Sequence, residues 1–314
     1  MPATLSSTPV WKARTRDLRT DLDLTRDELS YLLELTAKVK DAPARFTKAL
    51  ANRYLTLLFE KPSLRTRLTF ELAIKQLGGD CVVSVGPIGD REPLKDVARN
   101  LDRWTNGIVA RVFEQKTIED LAHWSRVPVI NALSDLYHPC QALADIVTLK
   151  ERFSTLQGLT VAFVGDGNNV AHSLMLCCGR LGINFALACP SGYEPDSGIV
   201  EQARAFGASS DSTITVTNDP YQAVASADAV YTDVWASMGQ ECEAEARRRV
   251  FEPFQVNEAL MAGGPKHMAF MHCLPAKRGQ EVTDAVTECE NSIIFDQAEN
   301  RLHAQKALLL MMLD

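Results

Sequence analysis

The chain has no apolar stretch approaching the ~18 residues that a membrane-crossing helix needs, so no membrane association is expected. It also has no excess of positive charge. Its 314 residues carry 33 Lys and Arg against 40 Asp and Glu, a formal net charge of -7, so nucleic acid is not the expected partner. No C-x-x-C pair occurs. The eight cysteines follow no regular spacing, and most sit inside apolar segments such as Met175-Leu176-Cys177-Cys178. Reduced core thiols are therefore expected rather than a disulfide framework or a zinc site, and no metal is assigned. The P-loop pattern G-x-x-x-x-G-K-[ST] is missing. A dinucleotide fingerprint fails at Val164-Gly165-Asp166-Gly167-Asn168-Asn169-Val170, where Val170 occupies the third glycine's place. The following strand, 185–188, ends in Cys-Pro without an acid for a ribose, so no cofactor is expected. The first sixteen residues contain no acid but lack the apolar core of a secretory signal. The reading is cytoplasmic.

What is present is an alternation. At 46% hydrophobic residues the chain can build a large core, and at ~100–200 residues per domain its length suits two domains. Residues 25–40 have helical spacing of Leu29, Leu32, Leu33, Leu35 and Val39. Continuous apolar runs at 54–58, 81–83, 108–112 and 127–130 read as strands, with helices at about 65–77, 93–104 and 138–152. A second half, beyond the polar stretch 153–158, repeats the pattern with strands at 159–164, 184–188, 213–216, 229–231, 268–271 and 292–295. A final helix covers about 297–313. Apolar strands separated by helices indicate parallel sheets covered on both faces. The expected fold class is α/β: two doubly wound parallel-sheet domains, 1–150 and 151–296, with residues 297–314 as a helix returning to the first.

Ligands of such sheets bind beyond the carboxyl ends of the strands, so the polar residues that follow the apolar runs are the candidates. After 54–58 comes F-E-K-P-S-L-R-T-R, where a helix start carries free N–H groups, the Ser63 and Thr66 hydroxyls and the Arg65 guanidinium. This is an anion site, or a capped helix with solvated arginines. Arg111, inside an apolar run, needs a buried partner, either a ligand or an acid. His138 and Gln141 project from one face of a first helical turn and could donate to a carbonyl oxygen; capping by Asp135 or His138 is the structural alternative. Asn168 and Asn169 suit a zwitterion or a turn. Asp233 follows an apolar strand and precedes Ser237-Met238-Gly239, as an amine-binding acid or an N-cap. Cys273 ends a strand as a reactive or an inert thiol.

Five motifs, F-E-K-P-S-L-R-T-R, H-P-C-Q, G-D-G-N-N, D-V-W-A-S-M-G and H-C-L-P, resemble in order and spacing the carbamoyltransferases, and among them the ornithine carbamoyltransferases, from about residue 16 to the end. The resemblance implies transfer of the carbamoyl group of carbamoyl phosphate to the side-chain amine of L-ornithine, giving L-citrulline in arginine metabolism. It implies that Ser63, Leu64 (through its N–H), Arg65 and Thr66 hold the phosphate with Arg111 and Arg301. Arg111, His138 and Gln141 address the carbonyl oxygen. Asn169, Asp233, Ser237 and Met238 bind ornithine, while Cys273 and the Leu274 carbonyl face its amine, with a cis Leu274-Pro275 bond. A homotrimer, or an assembly of trimers, is implied.

An alkyl ammonium of pKa ~10.4 needs roughly 4.6 kcal/mol to reach its nucleophilic neutral form at pH 7. Asp233 then orients Cys273 and the amine, and the leaving phosphate or the Cys273 thiolate takes the proton. Two positions depart from the family pattern: Leu64 replaces a usual Thr, and Pro87 stands where a Gln or His serves the neighbouring subunit. Relatives acting on N-acylated ornithine, putrescine or aspartate lack the Ser-Met-Gly stretch. An inactive regulatory paralogue is the alternative from another class.

Overall fold

A computed structural model describes residues 10–61, 63–236 and 243–313. Its contacts divide the chain into two compact units. Unit 1 holds the residues up to 147 together with those from 299 on, and unit 2 runs from 148 to 298. The closing residues from 299 on thus belong to the first unit.

Unit 1 contains α1 (Arg26–Asp41), β1 (Tyr54–Phe59), α2 (Arg65–Gln76), β2 (Asp80–Val85), α3 (Leu94–Trp104), β3 (Gly107–Arg111), α4 (Gln115–Trp124), β4 (Val129–Leu133) and the start of α5 (Pro139–Phe153). The strands form one parallel sheet in the order β2-β1-β3-β4. Its central strands are apolar on both faces because helices cover both: Leu55, Leu57, Ile108 and Val109 are fully buried. Helix α1 starts where the sequence dictates. Thr25 accepts from the Glu28 N–H, and the Glu28 carboxylate accepts from the Thr25 N–H.

Unit 2 continues with β5 (Thr160–Val164), α6 (Asn169–Leu181), β6 (Asn184–Ala188), α7 (Ser197–Ser210), β7 (Ile214–Thr217), α8 (Pro220–Val224), β8 (Ala229–Thr232), α9 (Ala244–Phe251), α10 (Glu258–Ala262), β9 (Ala269–His272), α11 (Asp284–Thr287) and the start of α12 (Ile294–Leu313). Its parallel sheet has the order β7-β6-β5-β8-β9. Chain order reverses beside β5, and the polar turns after β5, β8 and β9 share one end of the sheet.

The strand expected at 292–295 does not form. Ser292 makes a single bridge to Phe270, and the helix begins at Ile294. A short apolar run does not by itself distinguish a strand from a helix segment. Here Ile293, Ile294 and Gln297 are buried while Phe295 and Asp296 between them are exposed, a spacing that suits a helix and not the alternation of a strand.

Candidate active site

In unit 1 the anion cradle assembles at the carboxyl ends of β1, β3 and β4. Strand β1 delivers the chain to the N-terminus of α2, where Arg65, Thr66 and Arg67 begin the helix, the end of a helix that favours a negative charge. Thr66 is buried, and its hydroxyl oxygen accepts from Arg301 Nη2 at 2.6 Å, with Arg111 Nη1 at 3.5 Å. Arg301, on α12, also donates through Nη1 to Gln141 Oε1 at 2.8 Å. A hydroxyl, two guanidinium groups and an amide thus lie together although they are far apart in the chain. Ser63 and Arg65, at the same helix start as Thr66, are half-buried. The Leu64 side chain is 69% exposed, so this residue can serve the cradle only through its backbone.

The segment leading to His138 is shaped by a buried polar network. Ser134 Oγ donates to Gln115 Oε1 at 2.6 Å and accepts from the Tyr137 N–H, while Asn131 Nδ2 donates to Gln115 Oε1. Asp135 caps α4 by accepting from the Gln115 N–H. It therefore does not cap the following helix, where the His138 carbonyl accepts from the Gln141 and Ala142 N–H groups. Burial, reinforced by the charges of Arg301 and Arg111, pulls His138 well below the usual imidazole value. At neutral pH the ring is unprotonated and can donate one N–H to an oxygen without adding a charge. Cys140 is pushed up to about 12 by burial and is an inert core thiol.

In unit 2 the turn after β5 is tight. Gly165 has φ of +146°, and a Cβ on Gly167 would lie 2.3 Å from the Pro195 nitrogen, so glycine is required at both. Asn168 caps α6, accepting from the Val170 and Ala171 N–H groups, and donates through Nδ2 to Asp233 Oδ2 at 2.9 Å. Asp233 is buried, and its Oδ1 accepts from the Cys273 thiol at 3.0 Å. No helix follows Asp233 directly, so the N-cap reading is set aside. Asn169 starts α6 next to the cap, whereas Ser237 and Met238 lie outside the described residues.

Residues that motif reading passed over hold this arrangement. His272 accepts the Leu274 N–H on Nδ1 at 2.8 Å; its proton therefore sits on Nε2, which donates to Glu281 Oε1 at 3.2 Å. The pair is fully buried. It fixes Leu274, which has φ of +59° and a cis bond to Pro275. Asp233, His272 and Cys273 bring ligand-type atoms within 4.8 Å of one another, but both His272 nitrogens are already engaged. Beside Asn168, Asp166 pairs with Arg247 Nη1 at 3.0 Å, and the same nitrogen donates to the Trp235 carbonyl at 3.1 Å. Burial raises Asp166 to about 6, against the opposing pull of Arg247. Only the adjacent G-D-G and D-V-W patterns could have pointed to this pair.

The fold and these sites define a two-unit α/β protein that gathers two arginines, a hydroxyl and an amide at the carboxyl end of one parallel sheet and sets an acid–thiol pair at the end of the other. Residues 16–151 match the family model described as aspartate/ornithine carbamoyltransferase, carbamoyl-P binding domain, and 157–312 match its Asp/Orn binding domain. The chain belongs to the aspartate/ornithine carbamoyltransferase family. It is 48% identical to the ornithine carbamoyltransferase of Anoxybacillus flavithermus, covering 98% of this chain and 100% of that protein. It is also 48% identical to the anabolic ornithine carbamoyltransferase of Pyrococcus furiosus, covering 95% and 96%. The solved structure of an ornithine carbamoyltransferase from Pyrococcus furiosus superposes with a TM-score of 0.93 at 46% identity, covering 98% of this chain and 99% of that one.

Proposed function

We propose that the enzyme transfers the carbamoyl group of carbamoyl phosphate to the side-chain amine of L-ornithine, releasing L-citrulline and phosphate, in the biosynthetic direction toward arginine. The observation that carries this reading is the pairing of Cys273 with Asp233 at 3.0 Å in a chain that also holds the Thr66–Arg111–Arg301 cradle. The phosphate end goes to Ser63, the Leu64 N–H, Arg65, Thr66, Arg111 and Arg301. His138 and Gln141 donate to the carbonyl oxygen, where negative charge develops as the amine nitrogen attacks the carbonyl carbon. Collapse of the tetrahedral intermediate breaks the bond to the phosphate oxygen, and phosphate leaves, while the proton lost from the attacking nitrogen passes to the departing phosphate or to the Cys273 thiolate. Asn169, Asp233, Ser237 and Met238 are assigned to ornithine, with Cys273 and the Leu274 carbonyl at its amine. The anabolic direction draws support from the Pyrococcus furiosus relative's name.

A homotrimer belongs to the same reading. Leu64, which caps α2, and Leu68 and Leu72 on the helix recur every four residues at 69%, 48% and 45% exposure. On the edge strand β2, Val82 and Val85 are similarly exposed, and an apolar surface of this kind favours burial against another copy. The seven cysteines among the described residues are free, which suits a reducing cytoplasm.

The test is turnover of carbamoyl phosphate with ornithine, N-acetylornithine, putrescine and aspartate measured side by side. Fast citrulline formation with ornithine alone is the expected result. Preference for another amine would overturn the substrate assignment, and no turnover with any of them would overturn the reading itself.

A further inference from the structure

Asp145 lies one helical turn beyond Gln141 on α5. Both side chains are fully buried. Gln141 Nε2 donates to Asp145 Oδ1 at 2.8 Å, while Gln141 Oε1 accepts from Arg301 Nη1 at 2.8 Å. Arg301 in turn donates to Thr66 Oγ1 at 2.6 Å. A guanidinium can only donate, and a carboxylate can only accept. The two flanking groups therefore impose the same orientation on the Gln141 amide: oxygen toward Arg301, nitrogen toward Asp145. A primary amide carries two N–H bonds, and Asp145 takes one, leaving the other in a defined direction.

We propose that Asp145 is a positioning residue for the carbamoyl phosphate site. Through the Gln141 amide it fixes which end of that amide meets Arg301, and so aims both the Arg301 guanidinium and the second Gln141 N–H at the ligand. Asp145 does not itself touch the cradle hydroxyl. Its effect is carried by two hydrogen bonds in series, Asp145 to Gln141 and Gln141 to Arg301, ending at Thr66. With the carboxylate gone, a flipped amide would set its NH2 group against Arg301, donor to donor, and the arginine would leave Thr66. The assignment of ligand roles rests on the function proposed above; the amide's orientation follows from the hydrogen bonds alone.

The experiment compares Asp145→Asn and Asp145→Leu with the wild type in calorimetric titration with carbamoyl phosphate alone, together with steady-state kinetics and thermal unfolding. Asp145→Asn can still accept, but it can also donate, so the amide orientation is no longer enforced. A 5- to 20-fold weaker carbamoyl phosphate Kd is expected. Asp145→Leu offers no acceptor, and a loss above 50-fold is expected. The KM for ornithine at saturating carbamoyl phosphate should stay within twofold in both. A purely structural role would lower Tm while leaving Kd unchanged. Wild-type Kd in Asp145→Asn overturns the proposal, whether or not Asp145→Leu folds; so does an ornithine KM that rises in step with Kd. Calorimetry needs no turnover, so failure of the positioning role is distinguishable from failure of the substrate assignment, which the wild-type amine comparison reads.

Discussion

The Cys273 thiol donates to Asp233 Oδ1 at 3.0 Å across 40 residues of sequence, while the other oxygen of that carboxylate accepts from Asn168. One buried acid thus takes a hydrogen bond from the turn after β5 and another from the strand end at β9. A carboxylate held in this way has a set direction in which to receive an ammonium group.

Removing that charge should act on the amine substrate and leave the anion alone. Asp233→Asn is expected to lower kcat/KM for ornithine by roughly 100-fold or more, the order of 3 kcal/mol for losing a charged partner at a desolvated site. Cys273→Ala should cost less in affinity and more in kcat. Carbamoyl phosphate Kd, measured by calorimetry, should be unchanged in both. A large rise in that Kd would contradict the assignment of Asp233 to the amine.

The pH dependence should follow the amine. An ammonium of pKa ~10.4 is about tenfold more deprotonated for each pH unit gained, so kcat/KM for ornithine should climb steeply from about pH 6 into the alkaline range and level only as the pH nears ~10. His138 should add no limb in that range, because burial and two neighbouring arginines hold it well below its usual value. A profile flat across the window would remove the free amine as the reacting species.

Arg247→Met leaves Asp166 buried beside Asn168 without its guanidinium. Breaking one side of a buried pair costs on the order of 3 kcal/mol, and the loss should depend on pH. Asp166 already stands raised to about 6, and without the arginine it holds its proton to higher pH. The unfolded chain releases that proton near pH 4, so above that value ionisation favours unfolding. The Tm difference from wild type should therefore be larger at pH 8 than at pH 5. An equal difference at both would show that Asp166 does not carry the effect.

Leu68→Glu and Val82→Glu put charge at exposed apolar positions of α2 and β2. Both positions are exposed in the single chain, so the folded chain should lose no more than about 0.5 kcal/mol. Light scattering should report a lower mass than for the wild type. Unchanged mass in both variants would exclude these positions as the contact between copies.

The α/β architecture was legible because each strand carries its own signal. Runs such as Leu55-Thr56-Leu57-Leu58 and Ile108-Val109-Ala110 are buried on both faces and need no distant partner to be recognised. The motif residues were legible for a similar reason: Thr66, Arg111, His138, Asp233 and Cys273 all stand where an apolar run ends. The run 292–295 misled because Ile293, Ile294 and Phe295 suit either a strand or a helix, and packing on one side decided for the helix.

The supporting shell was not legible. His272 and Glu281 are nine residues apart, yet their pairing depends on the turn between them. Asp166 meets Arg247, and Arg301 meets Gln141 and Thr66, only after the chain has folded. Local sequence determined the strands, the helix caps and which polar side chains would stand at the sheet ends, because propensity, apolar periodicity and capping act over a few residues. Tertiary structure alone decided which way each of those groups is aimed. A buried amide, imidazole or carboxylate is oriented by donors and acceptors that arrive from other elements, and no short window of sequence contains both ends of such a bond.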